Sequence, residues 1–162
     1  MSHDDIEPLE PGIWLLQLRK LATRLPAEEA ALVTCLRRGF HLVQLTPRPL
    51  RHVVACKVAE EEFEQLLESG ALLPATVALV GDLLNYSVTQ RAVEGGAEAE
   101  VWFPNEPAFS HATGTSAPFA LFAAWLECLL TLERVDDPSQ EGVTSPVRRR
   151  SQSGRRPKLT EH

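Results

Sequence analysis

The run from Tyr86 to Phe103 constrains the fold more than any other part of the chain. Tyr86-Ser87-Val88-Thr89-Gln90-Arg91-Ala92-Val93 alternates, Gly95-Gly96 follows, and Ala97-Glu98-Ala99-Glu100-Val101-Trp102-Phe103 returns. Alternation is the period of a strand with one buried face. A diglycine between two such runs predicts a tight hairpin, because type I′ and II′ turns need positive φ. The strongest helical stretch comes later, over 118–133. There Phe119, Phe122, Ala123, Leu126, Cys128, Leu129 and Leu130 wrap much of the circumference, with Trp125 among them. So apolar a helix is expected to be central and to pack on the hairpin.

The N-terminal third reads as helix. Trp14, Leu18, Leu21 and Leu25 recur at spacings of four, three and four, one face of a helix. Pro26 ends that helix or opens the next one. Glu28 and Glu29 suit a first turn, Ala31, Leu32, Cys35 and Leu36 continue an apolar face, and Arg37 and Arg38 suit a last turn before Gly39. Residues 13–38 therefore predict an antiparallel helical hairpin.

The next segment changes period. Residues 40–45 and 50–58, the latter rich in β-branched side chains, predict two short strands joined by Thr46-Pro47-Arg48-Pro49. A helix continuing through Phe40–Leu45 is the rival, with Gly39 and the prolines against it. Ala59–Ser69 predicts a helix, with three glutamates in its first turn, Phe63, Leu66 and Leu67 inward, and Gly70 as its stop. Residues 71–84 fit a short helix after Pro74 or a strand. Pro104–Ala117 is expected to be loop. The resulting class is α+β, with antiparallel β-hairpins packed against helices. The expected division is a flexible 1–11, one domain over 12–137, and a disordered basic tail over 138–162, where apolar content is too low to offset the entropy of ordering.

Charge and cysteine content narrow the function. The 162-residue chain carries −6, but residues 146–162 hold five Arg and one Lys against one Glu. That is +5 in the tail, leaving −11 on the other 145 residues. An acidic body repels nucleic acid, and a basic tail attracts it. The three cysteines, Cys35, Cys56 and Cys128, lie in apolar segments without CxxC or knuckle spacing, which argues against a disulfide scaffold. With an acidic, polar start and no apolar run of the roughly 18 residues that span a bilayer, the expected location is cytoplasmic.

No motif assigns a reaction. None of the five histidines has HxxxH or HxH spacing. A metal site would need His41, His52 and Cys56 gathered across the expected strand pair, where the even offset of His52 and Cys56 puts them on one face. Ordinary strand residues explain that offset as well. There is no GxSxG elbow and no phosphate-binding glycine loop. The least implausible participants in catalysis are Cys56, His52 and His111. Ser110–Ala117 leads into the 118–133 helix, where hydroxyls and free N–H groups suit a small anion or plain capping by Thr115 or Ser116. The second helix exposes too few polar residues for a DNA-recognition helix.

The tail cations Arg148, Arg149, Arg150, Arg155, Arg156 and Lys158 suit phosphate contact without base readout, since no aromatic side chain lies among them. Arg-Arg-Arg-Ser151 also suits a basophilic kinase, and a solvated end without a task is the third reading.

Residues 79–133 carry a resemblance. An extended or helical piece leads to Tyr86–Val93, Gly95-Gly96, Ala97–Phe103, a Ser/Thr/Ala loop, and then Ala117-Pro118-Phe119-Ala120-Leu121-Phe122-Ala123-Ala124-Trp125-Leu126. This resembles the phage ABA sandwich family of small phage and prophage proteins, over about a third of the chain. The resemblance implies a fold and a phage or bacterial origin, and no catalytic residues.

The expected function is that of a small non-catalytic accessory protein acting through protein contacts, with a protein partner or a second copy of the chain. Trp14, Leu18, Arg37 and Arg38 are its expected contact residues. Association with nucleic acid or another polyanion through the tail is the alternative. No cofactor, metal or membrane is called for.

Overall fold

The computed structural model describes residues 6–26, 28–93 and 95–134. Five α-helices and three strands are present among them: α1 (Pro11–Thr23), α2 (Glu29–Gln44), α3 (Glu60–Glu68), α4 (Leu72–Val80), β1 (Asn85–Gln90), β2 (Ala97–Trp102), β3 (Ser110–Gly114) and α5 (Ala117–Leu130). Short 3-10 turns occupy Arg48–Leu50 and Thr131–Arg134. The class is α+β, as expected. The basic tail from residue 135 lies outside the described residues.

The hairpin forms as its alternation dictates. β1 and β2 pair antiparallel with Tyr86 opposite Val101 and Val88 opposite Ala99, and the Arg91 N–H donates to the Gly96 carbonyl at 2.8 Å. Gly95 has φ of 66°, the conformation a tight return needs. Ala97, Ala99 and Val101 are buried beneath α5, while Glu98, Glu100 and Trp102 alternate to the other face. From Ala120 to Leu129 only Glu127 is exposed. That helix is the middle layer: the sheet lies on one side, and α1, α2 and α4 pack against it elsewhere. One hydrophobic cluster runs through all three layers.

Three expectations are corrected. The two strands expected over 40–45 and 50–58 do not form. α2 continues through Gly39 to Gln44, and the chain then turns irregularly to α3. Gly39 is a packing residue and not a helix stop. A Cβ on it would stand 3.0 Å from both Leu79 Cδ2 of α4 and Phe122 Cε2 of α5. With α2 prolonged, Phe40 reaches α3 and stacks on Phe63, with ring centroids 4.4 Å apart. The loop expected over 104–117 contains β3, which pairs with β2 through Ala112 opposite Ala99. The stretch 71–84 resolves as helix α4, which Pro74 does not interrupt because it sits in the first turn. Gly81 ends it at φ of 74°, where a Cβ would collide with the Ala55 carbonyl oxygen.

The start of α1 is anchored. The Leu9 N–H donates to the Leu45 carbonyl at 3.0 Å, so the chain is held two residues before the helix. Trp14 Nε1 donates to the Leu42 carbonyl at 2.8 Å, deep in the α1–α2 contact. These two bonds tie the start of α1 and the residue two before it to the end of α2, and the helices run antiparallel, as the sequence predicts.

Candidate functional site

The antiparallel pairing of α1 and α2 brings two polar helix edges together. Gln17 and Lys20 of α1 and Arg24, which caps its C-terminus, recur at spacings of three and four. Arg37, Arg38 and His41 lie on α2. Helical neighbours three and four apart share a face, so each helix contributes one cationic strip. Between the strips lies a groove of about 560 Å³, with the buried side chains Leu21 and Leu42 in its lining.

The groove concentrates positive charge on an acidic body. Arg37 is the one rim cation with a carboxylate partner among the described residues. Its Nε lies 2.9 Å from both carboxylate oxygens of Glu64 on α3, and its terminal nitrogen lies 2.8 Å from one of them. A guanidinium held by two oxygens has a fixed plane. Lys20, Arg24 and Arg38 make no ion pair among the described residues. A cleft lined by one sign of charge and walled by apolar groups strengthens the field an approaching anion meets.

Of the expected contact residues, Arg37 and Arg38 line this groove. Trp14 and Leu18 do not. Both are wholly buried against the core, which corrects their assignment to a partner surface. The apolar stripe of α1 is consumed inside the molecule, because α2 and α5 cover it. Sequence reasoning does not single out Gln17, Lys20 or Arg24, and it considers His41 only as a metal ligand. Their spacing is readable, but a cationic strip on a single helix is ordinary until a second one faces it.

The other candidates disperse. His41 is exposed on the groove rim, and His52 is exposed after the 3-10 turn. Cys56 is half-buried in a separate hollow lined by Ile6, Val54 and Lys57. The strand pair that would align His52 with Cys56 is absent, so the even offset loses its meaning. Among the described residues no group of three or more His, Cys, Asp or Glu side chains could hold a metal ion. His111 is exposed on β3, opposite Glu100.

Ser116 occupies the N-cap position of α5 in an extended conformation, but its side chain makes no capping bond, so the capping reading of that loop is corrected. Thr113, Gly114 and Thr115 line a second groove, of about 480 Å³, together with Leu25, Pro26 and Phe119. The tail residues Arg148, Arg149, Arg150, Arg155, Arg156 and Lys158 lie outside the described residues.

The thiols are quiet. Burial pushes Cys128 up to about 12, with Glu106 adding to the rise and a hydrogen bond from Ser110 opposing it. Burial also raises Cys35, against the opposing charge of Arg38. It raises Cys56, whose Sγ lies 3.2 Å from the Ala78 carbonyl oxygen. A nucleophilic cysteine needs the opposite shift.

The fold thus defines an α+β protein with a cationic helix–helix groove. Comparison of the chain with protein-family models, curated proteins and solved structures finds no match. No described helix is long and apolar enough to cross a membrane.

Proposed function

We propose that this protein is a small non-catalytic binding protein acting through protein contacts, and that the α1–α2 groove receives a carboxylate-rich segment of its partner. One observation carries the reading. Lys20, Arg24 and Arg38 converge on one groove with no carboxylate partner among the described residues, on a body, residues 1–145, whose net charge is −11 with these cations included. Acidic side chains entering there would complete ion pairs that the fold leaves open, while Leu21 and Leu42 offer apolar contact beneath them. An extended acidic segment suits the groove better than a duplex, whose phosphates would meet the negative remainder of the surface. The raised thiols support a binding role over a thiolate-dependent reaction. The three free cysteines support a reducing, cytoplasmic setting. The resemblance of residues 79–133 to the phage ABA sandwich proteins supports a bacterial or prophage one.

The second reading is polyanion association through Arg148, Arg149, Arg150, Arg155, Arg156 and Lys158, and the +5 charge of residues 146–162 favours it. One titration separates the two. A fluorescent oligoglutamate peptide and a duplex DNA are titrated with the full chain, with Lys20→Glu, Arg24→Glu and Arg38→Glu, and with a variant carrying Gln at the six tail cations. The groove reading expects peptide binding that weakens about tenfold per reversed groove charge, or about 1.4 kcal/mol, and ignores the tail. DNA binding lost with the tail cations and indifferent to the groove would replace it with the second reading. Absence of peptide binding by the unaltered chain would refute the groove.

A further inference from the structure

We propose that the free edge of β1 is a self-association surface, at which two copies of the chain join into one continuous six-stranded antiparallel sheet. This goes beyond the groove and does not depend on it. Among the described residues the sheet order is β1-β2-β3, so β1 is an edge strand. The backbone bond from Arg91 to Gly96 sets the phase of the ladder. Alternate residues turn their N–H and C=O groups to the same neighbour, so Ser87 and Thr89 face β2 while Tyr86, Val88 and Gln90 present theirs to the open edge. Val88 is half-buried and every other residue of β1 is exposed, with Tyr86 at 40%.

Edge strands of this kind are normally blunted by charge, proline or a bulge. Asn-Tyr-Ser-Val-Thr-Gln has no charged residue, no Pro and no Gly, and β-branched or aromatic side chains fill three of its six positions. The opposite edge, β3, is five residues long and ends in Gly114. The occupant best suited to β1 is β1 itself. An antiparallel pair related by a two-fold axis is isologous, and an uncharged strand meets its copy without repulsion although each body is acidic.

Geometry restricts the register. Residues directly opposite must share a face of the sheet, and Tyr86, Val88 and Gln90 lie on the face that α5 covers, being opposite the buried Val101, Ala99 and Ala97. With Ser87 at the two-fold axis, Tyr86 of one copy bonds Val88 of the other and Val88 bonds Tyr86. The side chains then form two aromatic–β-branched cross-strand pairs, a favourable combination, with both α5 helices on the same side of the sheet. One strand per copy is a small interface, so the association is expected to be weak and concentration-dependent.

The test is the mass of the full chain by light scattering or sedimentation, over roughly 1 µM to 1 mM, a range that brackets small interfaces. The unaltered chain should rise from one chain mass toward two. Val88→Pro removes an N–H that faces only the open edge, and Tyr86→Lys puts a charge in place of the exposed aromatic of each cross-strand pair; each should weaken self-association at least about tenfold while the circular dichroism stays native. As a second readout on the unaltered chain, hydrogen exchange at the amides of Tyr86, Val88 and Gln90 should slow as concentration rises, while that of Ser87 and Thr89 should not change. A single-chain mass throughout the range would overturn the proposal. So would a dimer that persists in both folded variants, or exchange at the three amides that is independent of concentration.

Discussion

Replacing Gly39 by alanine tests the packing of this fold at its tightest point. In an exposed helix interior the change from Gly to Ala stabilises by about 1 kcal/mol, because alanine loses less backbone entropy. At Gly39 the added Cβ would stand 3.0 Å from Leu79 Cδ2 and 3.0 Å from Phe122 Cε2. Carbon atoms prefer about 3.5–4.0 Å, so both neighbours must retreat by about half an ångström. Neither is free to do so: Leu79 is 1% exposed and Phe122 is fully buried. Overpacking a close-fitted core costs about 1–3 kcal/mol. Subtracting the helix gain, Gly39→Ala should destabilise by about 1 kcal/mol, and Gly39→Val by clearly more, since valine adds two methyls and a poorer helix propensity. Gly12 supplies the control. It lies in the first turn of α1, where a Cβ would meet no atom within 4 Å, so Gly12→Ala should be neutral or stabilising. The assay is urea unfolding followed by circular dichroism. With a slope of about 1–3 kcal/mol per molar, a loss of 1 kcal/mol lowers the midpoint by several tenths molar. If Gly39→Ala raised the midpoint as Gly12→Ala does, the claim that Gly39 exists for close packing of α2, α4 and α5 would be wrong.

Two further outcomes follow from the ionisable groups. Arg19 and Glu133 form an ion pair that links α1 to the turn after α5, and the Arg19 hydrogen bond holds the Glu133 carboxyl below its usual range. A depressed folded value means that the contribution is present above the unfolded pKa of about 4.3 and is lost as pH falls through the folded one. The stability difference between the native chain and Glu133→Gln should therefore be visible at neutral pH and close on acidification; a difference unchanged down to the lowest pH at which both chains stay folded would refute it. Thiol labelling followed by mass spectrometry should find all three cysteines slower in the folded protein than in urea, with Cys56 labelled first and Cys128 last. At about 12, the Cys128 thiolate is roughly one part in ten thousand at pH 8. Labelling of folded Cys128 as fast as in urea would contradict its burial.

Much of this architecture is local in origin. The β1–β2 hairpin follows from alternation and a diglycine, α5 from its continuous apolar circumference, and α1 and α3 from their periodic stripes, because in each the period and the stop signals lie within a few residues of one another. β3 is not legible in this way. Ser110–Gly114 has the composition of a loop and becomes a strand because β2 offers it an unpaired edge. Gly39 reads locally as a helix stop, and its role depends on Leu79 and Phe122, which are 40 and 83 positions away. The stripe of Trp14 and Leu18 announces a face to be buried without saying against what, so core and partner surface look alike until α2 and α5 are in place. The groove is of the same kind. The strips Lys20–Arg24 and Arg37–His41 are each ordinary in sequence, and a site arises when antiparallel packing sets them across from one another. Local periodicity carries the energy that makes an element. Long-range packing, which no short window contains, selects the neighbours of each face and so the place where charge gathers.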